Sequence, residues 1–195
     1  MKIKEINFLK SVFIDDSKVF FDEKKEIVFV GRSNVGKSSI MNALFNKKDL
    51  VKTSSKPWKT KTANIFIMNN KYYFTDLPGY WFAKLGKEVL EKLDALISWY
   101  LEARKTYIKT VCILIDTKIW LQQKDIEMFN YVQTLEIPVI IVLSKTDRLW
   151  KSEVLKAKNY IEKELFGQKV IITSSTKKIW IKELFRELSD RLIEK

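Results

Sequence analysis

The chain has 195 residues, 46% hydrophobic and 31% charged, with one cysteine and no histidine. That length suits one domain with a real core, and the composition excludes a disordered tail or a collagen-like chain. The lone Cys112 excludes a disulfide framework and points to a reducing compartment, while the lack of histidine excludes the usual zinc sites and Ser-His-Asp catalysis.

Charge points to an anionic partner. There are 36 Lys+Arg against 24 Asp+Glu, a net +12, as expected of a protein that meets nucleic acid. Between Lys47 and Lys71 seven Lys stand against Asp49 alone, a net +6, whereas Met1 to Glu26 balances to zero. The start of the chain lacks the apolar stretch of a secretory signal, and no apolar run approaches the ~18 residues of a membrane helix. One count is odd: five Gly against six Trp, where about 7% Gly, or roughly 14, is ordinary.

In chain order, Ile27–Val30 predicts a short buried strand, followed by a helix through Ile40, Met41, Leu44 and Phe45. Ile65–Met68 and Tyr72–Thr75 flank Asn69-Asn70 and predict a hairpin. Leu85–Arg104 has helical spacing, Val111–Ile115 predicts a strand, Lys124–Thr134 a helix, and Val139–Leu143 a strand behind Pro138. A helix over Ser152–Leu165, a strand over Val170–Ile172 and a helix over Trp180–Ile193 complete the pattern. Strands alternating with helices predict right-handed βαβ units: an α/β fold with a mostly parallel, six-stranded sheet flanked by helices. No linker or repeat interrupts it, so one domain is expected over 1–195, its core from about residue 24.

Gly31-Arg32-Ser33-Asn34-Val35-Gly36-Lys37-Ser38 fits G-x-x-x-x-G-K-[ST], directly after a predicted strand and opening a predicted helix. In that context the backbone N–H groups wrap phosphates and the helix N-terminus adds its positive dipole end. Lys37 would reach the β- and γ-phosphates, and the Ser38 hydroxyl would hold Mg²⁺. Ser144-Lys145-Thr146-Asp147, after the fifth strand counted from that loop, selects the base. Asp147 can accept from guanine N1–H and N2–H₂, a donor pair adenine lacks, and the Lys145 stem would cover the base. Asp76-Leu77-Pro78-Gly79 ends a strand as a D-x-x-G element: Asp76 would reach Mg²⁺ through water, and the Gly79 N–H would sense the γ-phosphate. In the basic segment Trp58-Lys59-Thr60-Lys61-Thr62, Thr60 is the candidate to complete the Mg²⁺ shell, with Thr62 as competitor. Thr173-Ser174-Ser175 follows the last strand, where backbone N–H groups would meet guanine O6.

Five elements in this order resemble a Ras-like P-loop G domain. Gly31 to Ser39, Thr53-Ser54-Ser55-Lys56-Pro57, Asp76 to Tyr80 and Phe82-Ala83-Lys84 further resemble the EngB family of ribosome-biogenesis GTPases, from about residue 7 to the C-terminus. The resemblance implies a cytoplasmic, monomeric GTPase that binds GTP/GDP and assists assembly of the large ribosomal subunit precursor on its rRNA. It also implies a part in cell division and septation. Asn34 resembles the Asn that holds K⁺ in related GTPases, which would make hydrolysis potassium-stimulated. With Lys37, Thr60 and Gly79 it completes the expected catalytic set. Tyr80 occupies the place of the water-orienting Gln of Ras-like enzymes, so unassisted hydrolysis should be slow; Ras itself manages only on the order of 10⁻⁴ s⁻¹. A guanine-nucleotide-dependent RNA-binding factor with negligible hydrolysis, or another GTPase of the Era or EngA type, are the competing readings.

Against the family pattern, Trp stands where Gly is expected at Trp58, Trp81, Trp120 and Trp180. One reading is tryptophans that stack on RNA bases. The favoured one is UGA codons, which some genetic codes translate as glycine and others as tryptophan.

Overall fold

The structure is a computed structural model that describes residues 1–14, 22–51, 62–80 and 86–194. Its strands are β1 (Ile6–Val12), β2 (Glu26–Gly31), β3 (Ala63–Met68), β4 (Tyr72–Asp76), β5 (Ile108–Asp116), β6 (Val139–Ser144) and β7 (Val170–Ile172). The helices are α1 (Lys37–Leu44), α2 (Lys87–Arg104), α3 (Gln123–Thr134), α4 (Lys151–Glu164) and α5 (Ile181–Ile193). One mixed sheet runs in the order β1-β3-β4-β2-β5-β6-β7. β3 is antiparallel to both β1 and β4, and the remaining pairings are parallel.

The central strands read as continuous apolar runs because both faces of the sheet are covered. Alternation still sorts them. Val28 and Val30 of β2, with Val111, Ile113 and Ile115 of β5, pack under Ile97 of α2, Phe129 of α3 and Ile161 of α4. Ile27 and Phe29, with Cys112 and Leu114, pack on the other face against Ile40 and Met41 of α1 and Leu184 and Leu188 of α5. The hairpin turns at Asn69 and Asn70, both left-handed (φ 52° and 54°), as the twist of a two-residue hairpin requires.

The sheet has seven strands rather than the predicted six. The additional one is β1, on the edge beside β3. Its register shifts between Phe8 and Lys10, which turns Ile6 and Val12 to opposite faces of the sheet and leaves Phe8 and Leu9 exposed. A bulge breaks the period-2 alternation from which a strand is recognised. Trp120 and Trp180 both have left-handed backbone, φ 64° and 54°. Among the described residues no helix is long and apolar enough to cross a membrane.

Candidate functional site

Strand β2 ends at Gly31 and α1 begins at Lys37, so residues 32–36 form the loop between them at the sheet's C-terminal edge. Gly36 caps α1 with φ 106°, a conformation without strain only for glycine. Asn34 is left-handed as well (φ 62°). Left-handed residues just before a helix N-terminus make the kind of backbone that suits an anion.

Across the loop, Asp76 ends β4. Its side chain is buried, and its Oδ1 lies 3.5 Å from Lys37 Nζ but makes no hydrogen bond. Burial raises its pKa, and the Lys37 ammonium opposes the rise. Ser33 Oγ is also buried without a partner. A buried carboxylate whose Oδ1 has only the Lys37 ammonium, at 3.5 Å, and a buried hydroxyl without a partner are polar groups that need an explanation beyond the fold. A carboxylate here and the Ser38 hydroxyl at the start of α1 are hard oxygen donors of the kind Mg²⁺ takes, so the residues fit that ion.

The second half of the site lies at the ends of β6 and β7. Ser144 Oγ donates to the Val35 carbonyl at 2.6 Å and ties β6 to the phosphate loop. Lys145 is left-handed (φ 57°) and donates from Nζ to the Asn34 carbonyl at 2.6 Å and to Asp116 Oδ2 at 2.7 Å. Its stem thereby lies along Gly36, where an added Cβ would stand 3.6 Å from Lys145 Cε. Thr146 donates to the Thr173 carbonyl at 3.0 Å, and Thr173 to that of Leu143 at 2.8 Å. Ser174 Oγ donates to Asp147 Oδ1 and holds that carboxylate in place. Gly36, Ser144, Lys145, Asp147 and Ser175 line one cleft.

Gly31 to Ser38, Asp76 to Gly79, Ser144 to Asp147 and Thr173 to Ser175 thus gather at one edge of the sheet. Two predicted site residues are directed elsewhere. The Arg32 guanidinium is buried against Asp125 (Nε to Oδ1, 3.2 Å) and the Trp120 carbonyl (3.3 Å), leaving only its backbone to the phosphate loop. The Thr62 hydroxyl donates to Asn64 Oδ1 at 3.3 Å, within β3. Trp58, Lys59, Thr60 and Lys61, and Trp81 to Lys84, lie outside the described residues.

Sequence reasoning missed Asp116 and Asp125. Asp116 closes the apolar run of β5, a charge at a buried strand's C-terminal end, which was a usable signal. Asp125 is the third residue of α3 and caps it by accepting from Gln122 N–H at 3.0 Å. It also accepts from the Tyr80 hydroxyl at 2.8 Å. Burial and the Asp125 charge push Tyr80 well above the usual phenol range, so it stays a donor.

A mostly parallel sheet with a phosphate loop after one strand and a carboxylate-bearing base cleft two strands away defines a P-loop G domain. Residues 26–145 match the family described as "50S ribosome-binding GTPase". A "Probable GTP-binding protein EngB" of Kosmotoga olearia is 41% identical over 181 residues, covering 91% of this chain and 93% of that one. Among solved structures, a probable GTP-binding protein EngB superposes with TM-score 0.75 at 24% identity, over 87% of this chain and all of that one. Era in complex with MgGDPNP and nucleotides 1506–1542 of 16S ribosomal RNA superposes with TM-score 0.70 at 22% identity, over 88% of this chain and 57% of that one. The chain belongs to the EngB family of GTP-binding proteins, a family of ribosome-associated P-loop GTPases.

Proposed function

We propose that this GTPase binds GTP and GDP in the cleft between the 31–38 loop and Asp147, and works as a switch in assembly of the large ribosomal subunit. The observation that carries the reading is the pairing of two half-sites on one sheet edge. The loop at α1 suits phosphates, and Asp147, steadied by Ser174, suits the guanine N–H edge.

Lys37 neutralises charge on the β- and γ-phosphates, and Ser38 and Asp76 would hold Mg²⁺, which would supply positive charge against the phosphates. The Gly79 N–H is the donor toward the γ-phosphate, and Thr60 completes the metal shell in the triphosphate state. Asn34 would hold K⁺, an ion that would supply the charge an arginine finger brings elsewhere. Tyr80 is turned to Asp125, so no side chain at that position orients the attacking water and the unassisted rate is low.

The partner is the large-subunit precursor through its rRNA, in the cytoplasm, with cell division and septation depending on the subunits so made. The net charge of +12 and the likeness to Era, solved with ribosomal RNA, support an RNA-bearing partner. Single-turnover GTP hydrolysis with and without large-subunit particles tests the reading. Particles should accelerate it by orders of magnitude, with GTP preferred over ATP. A rate unmoved by particles would leave a nucleotide-dependent RNA-binding factor in its place.

A further inference from the structure

The D-x-x-G loop is pinned on both sides of Gly79. On one side Leu77 N–H donates to the Phe29 carbonyl at 3.1 Å. On the other, Tyr80 pairs with Arg32 as a one-residue extension of the sheet, and its carbonyl accepts from Ser33 N–H at 3.4 Å. Between the pins there is no slack: a Cβ on Gly79 would stand 2.6 Å from Ser33 Oγ and 3.0 Å from the Ser33 backbone. Beyond Tyr80, two side chains and a backbone N–H close on one carboxylate. Asp125 Oδ1 accepts from Tyr80 and Arg32, while Oδ2 caps α3. Relative exposures of 3% for Tyr80, 7% for Arg32 and 1% for Asp125 leave no water to replace a lost bond.

We propose that the side chains of Tyr80, Asp125 and Arg32 are positioning groups that set the height of Gly79 over the phosphate loop, and so select a nucleoside triphosphate over a diphosphate without themselves touching either. The inference rests on the cleft's being the guanine-nucleotide site. The contact with the D-x-x-G loop is made by the γ-phosphate, whereas a diphosphate is held by the 31–38 loop and the base cleft at Asp147 without it. Loosening the latch therefore weakens the triphosphate selectively.

The test is titration of the full chain with GDP and with a non-hydrolysable GTP analogue, for the unaltered protein, Tyr80→Phe, Asp125→Asn and the double variant. The expected result is a loss of about tenfold in analogue affinity for Tyr80→Phe, with GDP affinity within about twofold. The double variant should add little to the larger single effect, since all three act through one carboxylate. Equal losses for both nucleotides, no loss for either, or effects that simply multiply would each overturn the latch. Retained GDP binding reports a folded site. Failure of the unaltered protein to bind either nucleotide would instead overturn the cleft's assignment.

Trp120 and Trp180 are left-handed and 37% and 55% exposed; the Trp120 ring meets that of Tyr160 (centroids 5.8 Å), itself exposed, a small return for the strain of a bulky side chain there. Glycine adopts that backbone freely, and the chain holds more Trp than Gly. We infer that positions 120 and 180 are encoded by UGA and read as glycine in the cell of origin. Trp120 joins the latch only through its carbonyl, which glycine keeps. Sequencing these codons and weighing the corresponding peptides of the native protein decides it. UGA codons with peptides lighter by the Trp–Gly difference are expected; UGG at either position, or tryptophan in either peptide, overturns it.

Discussion

Asp147 shows how single residues acquire meaning here. A carboxylate in a loop is ordinarily solvated, but this one follows a buried strand, accepts from Ser174, and shares its cleft with the phosphate loop. Asp147→Asn removes one acceptor for guanine's donor pair and should lower GTP affinity about tenfold or more, with ATP affinity unchanged, in a nucleotide competition assay. Trp180 is the opposite case, a residue at odds with its backbone. Trp180→Gly should stabilise the fold by about 1 kcal/mol, raising Tm by roughly 2–4 °C in thermal unfolding. The sequence suggested both: Asp147 from its place after the fifth strand, Trp180 from the family pattern, which has glycine there. Arg32 was different. Nothing in its spacing says that its guanidinium leaves the loop it belongs to, because Asp125 lies 93 residues away.

Among elements, β2 carries the site at one end and a charged anchor at the other. Glu26, at its start, is fully buried and accepts from Arg104 Nε at 3.0 Å and from the Tyr100 hydroxyl at 2.6 Å. Arg104 also donates to the carbonyls of Asp22 (2.7 Å) and Lys24 (3.1 Å), which clamps the end of α2 to the chain entering β2. Removing one partner strands a buried charge, so Arg104→Met should cost about 3–5 kcal/mol in urea denaturation. Nucleotide affinity of the folded fraction should hold, because the clamp lies about 16 Å of strand from the phosphate loop. The helices and parallel strands were legible because burial on both faces leaves runs and periods in the sequence. β1 was not, because its bulge erases the alternation and only Ile6 and Val12 of its seven residues are buried.

For the whole molecule the governing quantity is the net +12. Binding to ribosomal RNA through phosphate contacts should weaken by orders of magnitude between about 50 and 200 mM salt, because each neutralised phosphate releases counterions. A flat salt dependence in filter binding would count against an RNA-facing surface. At constant ionic strength, hydrolysis should be faster in KCl than in NaCl; equal rates would remove Asn34 from the proposed catalytic set.

By itself the sequence determined the class of fold, the order of the nucleotide elements and the family, since these are local: a glycine-bounded loop between strand and helix, a carboxylate two residues past a lysine, an apolar run of fixed period. The tertiary structure alone decided that Asp125 gathers Tyr80 and Arg32, that Asp116 holds Lys145, and that Glu26 pairs with Arg104. Those pairs join segments from 29 to 93 residues apart. Only the closing of the sheet brings such partners into contact, and no pattern along the chain records which of them will meet.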